Sequence, residues 1–208
     1  MKKILLYPSY FPSIAQMVAV AKAQEVIFEI QDNYQKQTYR NRAYIAHSNG
    51  KLLLNVPIKH TKDGSRQKTK DVLVENDFLW QSHHWKSLQS AYRTSPFFEF
   101  YEDDLEPLFT NRVTHLMRHN LDIFKILIDL IGIDITTTYT ETFQKESAEI
   151  DGRFLVEAKK EKDYGFDRYT QVLGEQHGFL KNLSVLDLLF NEGPNTLSFL
   201  QSQKLFLH

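Results

Sequence analysis

KILLYPSYFPSIAQMVAVAKAQEVIFEI, residues 3–30, is the stretch on which the fold turns. It opens with an apolar run from Lys3 to Tyr7 that stops at Pro8, with a second proline at Pro12. A run this short, ended by a residue without an N–H, reads as a buried strand. Ser13 can then cap a helix through about Ala23, with Ile14, Met17, Val18 and Ala21 on one face. Glu25 to Ile30 is short and apolar again, a second strand. Strand, helix and strand within about thirty residues is the length of a βαβ crossover, so the two strands are expected to lie parallel.

Beyond this unit, Tyr39–His47 and Lys51–Ile58 flank Ser48-Asn49-Gly50. Asn-Gly predicts a hairpin because both residues tolerate positive φ. Lys59 to Lys70 is a polar, basic loop around Gly64 and Ser65. Phe78–Tyr92 is expected to be helical, ended by Ser95-Pro96. A longer helix is expected from about Asn111 to Ile131, with Leu116, Leu121, Phe124, Leu127, Ile128 and Ile131 as its core stripe and Gly132 as its stop. The threonine-rich segment Ile133–Phe143 is a candidate strand, and Asp151-Gly152 a turn in a charged stretch. Ser184-Val185-Leu186-Asp187 has the form of a capping box opening a helix through Phe190, closed before Gly193-Pro194. The fold class expected is α/β, with α+β as the alternative: an N-terminal βαβ-and-hairpin sheet followed by a mostly helical C-terminal half. A length of 208 residues fits one domain over 1–208, with a sheet-containing half at 1–75 and a helical half at 76–208.

Composition excludes several functions. Hydrophobic residues make up 42% and charged residues 25%, which is globular rather than disordered. A formal charge of −1 argues against general nucleic-acid or membrane-surface binding. Cysteine is absent, which removes disulfides, thiolate nucleophiles and cysteine-ligated zinc, and fits a reducing compartment. The N-terminal apolar run ends at Pro8, too early for a signal peptide, and Lys125 and Asp129 interrupt even the run from Ile123 to Ile133. A cytoplasmic protein without membrane or nucleic-acid partners is expected. Oligomeric state is left open.

Chemistry concentrates in a few places. DNYQKQTYRNRAYI, residues 32–45, places Arg40 and Arg42 one strand repeat apart, with Asn41 on the other face if the segment is extended. Two guanidiniums so placed can converge on a phosphate or carboxylate, with Gln35, Gln37 and Tyr39 as flanking donors. The other reading is a solvated strand whose arginines face water or pair with nearby acids. In YPSYFPS, Tyr7, Ser9 and Tyr10 would stand at the carboxyl end of the first strand, where open α/β sheets bind ligands; a rigid proline turn with packed aromatics is the other account. WQSHHWKS puts His84 on one helix face with Trp80, as a general base in a cleft or as a core histidine holding one hydrogen bond. Glu175 and His177, between Gly174 and Gly178, could form an oriented base, or simply lead into the capped helix. Asn182 and Asn191 read as caps. His115 and His119 have chelating spacing but lack the glutamate of a zincin helix, so no metal is assigned. There is neither a P-loop nor a dinucleotide fingerprint, and no cofactor is expected. The basic loop with Lys59, His60, Lys62, Arg66, Lys68 and Lys70 is a solvated loop, or a lid over an anion held by the arginines.

The Tyr-Pro turn, YQKQTYRNRAYI at 34–45, NGKLLLNVPI at 49–58, WQSHHW and AYRTSPFF within 80–98, and LSVLDLLFNEGP at 183–194 stand in an order that resembles the WbqC-like protein family. The resemblance covers nearly the whole chain and is most specific over Gln35–Ile45, Trp80–Phe98 and Tyr169–Pro194. The family's first turn usually carries Gln or His before the proline, where this chain has Tyr7. Members of this largely uncharacterised family occur in gene clusters for O-antigen or other surface polysaccharide. The resemblance therefore implies a transferase that passes a small acyl or aminoacyl group, such as glycyl, to an amino sugar carried on a nucleotide. Arg40 and Arg42 would hold a phosphate or carboxylate, Asn41 and Gln35 would orient the sugar, and His84 would take the amine's proton. The alternatives are a non-catalytic module for an anionic sugar or a partner enzyme of the same pathway, and a scaffold whose arginines face water.

Overall fold

A computed structural model describes residues 2–61, 65–159 and 161–207. The opening stretch forms the expected unit: β1 (Lys3–Leu6), α1 (Ile14–Ala21) and β2 (Glu25–Phe28). The two strands pair in parallel, from Lys3 opposite Glu25 to Leu6 opposite Phe28. Ser13 accepts a hydrogen bond from the Gln16 N–H and caps α1, every residue of which from Ile14 to Val20 is buried. Such a helix is enclosed on all sides rather than amphipathic. Even Gln16 is inside; its amide donates to the Tyr7 carbonyl at 2.9 Å and accepts from Ser9 Oγ at 2.6 Å, which fixes the proline turn against the helix.

The hairpin also forms, with β3 (Arg42–His47) antiparallel to β4 (Gly50–Asn55). Only Ser48 and Asn49 connect the strands, and Gly50 alone takes the positive φ, +106°. This ribbon is a sheet of its own. The main sheet has the order β5-β2-β1-β6, with every pairing parallel. Its outer members, β5 (Thr136–Tyr139) and β6 (Ile150–Asp151), come from the second half of the chain. The threonine-rich segment thus supplies the expected strand. After β6, Gly152 presses against β1: a Cβ there would stand 2.7 Å from Leu6 Cδ2 and 2.9 Å from Ile4 Cδ1, which explains a glycine at that position.

Between the strands lie α2 (Trp80–Tyr92), α3 (Phe98–Leu105), α4 (Pro107–Thr110) and α5 (Leu116–Ile131); α6 (Gly174–His177), α7 (Val185–Glu192) and α8 (Thr196–Ser202) follow. The long helix starts five residues later than the sequence suggests. Residues 113–115 are extended instead: Val74 N–H donates to the Thr114 carbonyl and Leu116 N–H to the Val72 carbonyl. Leu121 and Ile128, expected in the core stripe, are only half-buried, while His119 and Asn120 are buried. The capping box at Ser184 is half formed. Ser184 Oγ accepts from the Leu186 N–H, but the Asp187 carboxylate faces inward and accepts from Tyr92, Tyr169 and Gln171 at 2.7, 2.5 and 2.9 Å. Asn182 does cap a helix, but α1: its Oδ1 accepts from the Ala15 N–H at 2.8 Å.

Candidate functional site

In an open parallel sheet, ligands bind beyond the carboxyl ends of the strands, where successive connections leave in opposite directions. Here the chain runs from β1 to β2 and on to β5 on one side, then returns to place β6 on the other side of β1. The switch point is therefore between β1 and β6. Tyr7 follows β1 there, and Asp151 and Arg153 stand at the end of β6. These residues line a polar cleft of two adjoining lobes. One, of about 380 Å³, is formed by Tyr7, Asp32, Asn33, Gln35, Arg66 and Lys68, among others. The second, of about 350 Å³, includes Tyr7, Gln35, Arg40, Lys145, Arg153 and Glu157. Phe143, half exposed, borders both.

The cleft is built on two arginine–aspartate pairs. Arg40 is 1% exposed, and its Nη2 donates to Asp32 Oδ2 at 2.7 Å. Its guanidinium carbon lies 3.8 Å from the centre of the Tyr7 ring, a cation–π contact that holds this ring in place in the cleft. Burial raises the Asp32 carboxyl, and the Arg40 charge opposes it. Burial, together with the Asp32 charge, likewise raises the Tyr7 hydroxyl, so it stays protonated and able to donate. Arg153 grips Asp151 through two bonds, Nε to Oδ1 at 2.9 Å and Nη2 to Oδ2 at 2.6 Å, and this pairing lowers the Asp151 carboxyl. Arg153 also donates to the Gln144 and Lys145 carbonyls, tying the strand-end loops together.

The proposed ligand-binding residues do not all meet at the cleft. Arg40 borders the cleft, but from a turn rather than a strand, because β3 begins only at Arg42. The alternation that would set Arg40 beside Arg42 does not apply, and Arg42, half-buried, is not among the lining residues. Gln35 lines both lobes; Gln37 is exposed in a left-handed turn at φ +63° and lines neither. Tyr39 is buried and donates to Glu161 at 2.5 Å. Asn41 fastens the end of the hairpin through the Val56 carbonyl at 3.0 Å.

His84 and Tyr10 sit together elsewhere. The Tyr10 hydroxyl lies 2.8 Å from His84 Nδ1, and the rings of Trp80 and His119 close around them. Burial lowers both His84 and His119 to about 4, so both are neutral near pH 7. The neutral ring then accepts from Tyr10 at Nδ1. His177 ends α6, with its Nδ1 2.7 Å from the Gly178 carbonyl, and it lines neither lobe. Among the described residues no group of three or more acidic, histidine or cysteine side chains gathers as a metal site.

Asp32, Phe143, Lys145, Asp151, Arg153 and Glu157 were not singled out by sequence reasoning. The usable signal was Asp151-Gly152-Arg153, a strand end followed by a glycine, but a two-residue strand leaves no periodicity to read. The second half of the basic loop does reach the site. The Tyr34 N–H donates to the Gln67 carbonyl at 2.8 Å and the Thr69 N–H to the Asp32 carbonyl at 3.0 Å, which makes Arg66 and Lys68 a wall of the cleft. Lys62 and Gly64 of the same loop lie outside the described residues.

A parallel sheet with a polar, arginine-braced cleft beyond its carboxyl edge defines an α/β protein of the open-sheet class. Within that class the chain belongs to the WbqC-like protein family, whose model matches residues 7–164. Every residue lining the cleft falls inside that span. A similar protein is the uncharacterised protein Rv1507c of Mycobacterium tuberculosis, 26% identical over 97% of this chain and 98% of its own length. No solved structure matches with significance. Among the described residues, no helix is long and apolar enough to cross a membrane.

Proposed function

We propose that the cleft binds an anionic sugar derivative, a nucleotide sugar or a related sugar phosphate. In this reading the protein is a transferase of surface-polysaccharide assembly that passes a small acyl or aminoacyl group, such as glycyl, to an amino sugar. The amine nitrogen attacks the carbonyl carbon of an activated ester or thioester, the C–N bond forms, and the donor's alcohol or thiol leaves. A side-chain base takes the proton released by the amine. One observation carries the proposal: the cleft sits at the switch point of a parallel sheet, with Tyr7 fixed by the buried Arg40–Asp32 pair and Arg66, Lys68 and Lys145 on its rim.

The position of His84 supports a second reading, a non-catalytic module for an anionic sugar or a partner enzyme. That ring is bonded to Tyr10 and lines neither lobe. Two measurements separate the readings. Binding of a nucleotide sugar raises the apparent melting temperature under both, because the ligand binds only the folded state. Mass spectrometry of a reaction with an activated acyl donor and a nucleotide-linked amino sugar shows an acylated product only under the first. If His84→Ala still turns over, the base is in the cleft itself, where Glu157 is a carboxylate without a hydrogen-bond or ion-pair partner among the described residues.

A further inference from the structure

The two lobes of the cleft differ in charge. In the first, Asp32 is neutralised by Arg40 at 2.7 Å, and the two cations on the wall are unanswered. Arg66 has no hydrogen-bond or ion-pair partner among the described residues, and the Lys68 ammonium meets only the neutral Gln31 carbonyl at 2.9 Å. In the second lobe Arg40 and Arg153 are already committed to Asp32 and Asp151. Among the described residues, Lys145 and Glu157 remain there as a cation and an anion without a hydrogen-bond or ion-pair partner for their charged groups, in a lobe whose lining also includes Phe154 and Val156. By its lining side chains one lobe is thus cationic, with the buried Glu29 carboxylate within electrostatic reach of Asp32 and Tyr7, and the other is neutral while offering both a donor and an acceptor.

Resting on the reading of the cleft as a ligand site, we infer that its ligand is bipartite and enters in one orientation. A phosphate group lies between Arg66 and Lys68, and a hydroxyl-bearing sugar ring lies between Lys145 and Glu157. Tyr7, Gln35 and Phe143, which line both lobes, flank the linkage between the two parts. Phosphate is the group that a guanidinium fork and an ammonium together answer best. A ring hydroxyl can donate to a carboxylate and accept from an ammonium, and apolar side chains beneath it receive its C–H face. At about 380 and 350 Å³, each lobe lies near the lower end of the roughly 300–1,000 Å³ typical of small-molecule pockets. One lobe therefore takes a fragment, and the two together take a sugar phosphate. Glu157 becomes the residue that selects the sugar, and Arg66 the one that sets general affinity for phosphate.

Calorimetric titration of the full chain with inorganic pyrophosphate, UDP and UDP-glucose tests the division, using two exposed-site variants that leave the core intact. Arg66→Ser should weaken all three probes by a similar factor, about tenfold for the loss of one charge-assisted contact. Glu157→Gln should leave pyrophosphate unchanged and weaken UDP-glucose about fivefold more than it weakens UDP. The division is overturned if Glu157→Gln weakens pyrophosphate as much as Arg66→Ser does, or if Arg66→Ser leaves pyrophosphate binding unaltered. Equal affinity of the wild-type chain for UDP and UDP-glucose leaves the anion site standing and removes the sugar lobe. Binding of none of the three probes removes the anion site itself, and the division with it.

Discussion

Tyr7 and Tyr10 are three residues apart in the same proline turn, and they serve two different kinds of polar site. Tyr7 stacks on a buried arginine and lines an open cleft. Tyr10 is fully buried and hydrogen-bonded to His84 in an aromatic cluster with Trp80 and His119, the last of which also lines a separate cavity of about 410 Å³. In the cleft, charge is kept inside the protein by pairing: Arg40 with Asp32, and Arg153 with Asp151. In the cluster, charge is avoided, since burial holds both imidazoles neutral. The difference teaches where chemistry can happen. A paired charge beside an open cavity can shape a ligand's surroundings, whereas a neutral histidine sealed behind aromatic rings serves packing first.

Near neutral pH the largest effect should come from breaking the cleft's pair. Arg40→Ala leaves the Asp32 carboxylate buried without its partner, and losses of this kind are about 3–5 kcal/mol. Urea denaturation should show it, and adding Asp32→Asn to the same chain should recover part of the loss. If the single substitution has no effect, the pair is not what braces the cleft.

Acid should expose the other site. The unfolded chain protonates its histidines around 6.5, and the folded values of His84 and His119 lie at about 4. Their folded pKa values are depressed, so their contribution is whole above pH 6.5 and is lost as pH falls through 4. Each ring is worth up to about 3 kcal/mol across that window. Denaturation midpoints at intervals through the window should fall steeply for the wild type. With His84→Gln and His119→Gln together, the slope should flatten; an unchanged slope would assign the acid response to other groups.

Smaller effects sharpen the contrast. Tyr7→Leu removes a cation–π contact worth about 1 kcal/mol and should lower stability only by that amount, while nucleotide-sugar binding measured by calorimetry falls more than tenfold. Stability and binding falling in step would make Tyr7 a packing residue alone. The smallest effect is expected at Gln37, exposed at φ +63°. Gln37→Gly relieves that conformation and should change stability by roughly 0.5 kcal/mol or less, with ligand affinity unaltered.

Local signals in the sequence were dependable where a short stretch contains its own instruction. The proline stop, the Ser13 cap and two apolar runs specify the βαβ unit without help from the rest of the chain. Gly50 likewise turns the hairpin. Where two distant stretches compete for the same residues, the local signal gave way. The start of α5 yields to pairing between residues 72–74 and 113–115, and Asp187 leaves its capping position for the hydroxyls of Tyr92 and Tyr169. In the cleft, Arg40 and Gln35 were legible as polar residues in an unusual stretch. Their partners at 143–157 were not, because nothing near Asp151 in sequence announces that a two-residue strand will lie beside β1.

By itself the sequence determined the parallel unit, the hairpin, the absence of thiol chemistry and the polar character of residues 32–42. Tertiary structure alone decided which of the charged side chains share a cleft, because the sheet order brings residue 151 beside residue 5, 146 positions away in the chain. It also decided that one tyrosine of the turn faces an open cleft and the other a buried histidine. Burial and pairing are properties of the assembled interior, and a side chain's neighbours in sequence do not fix them.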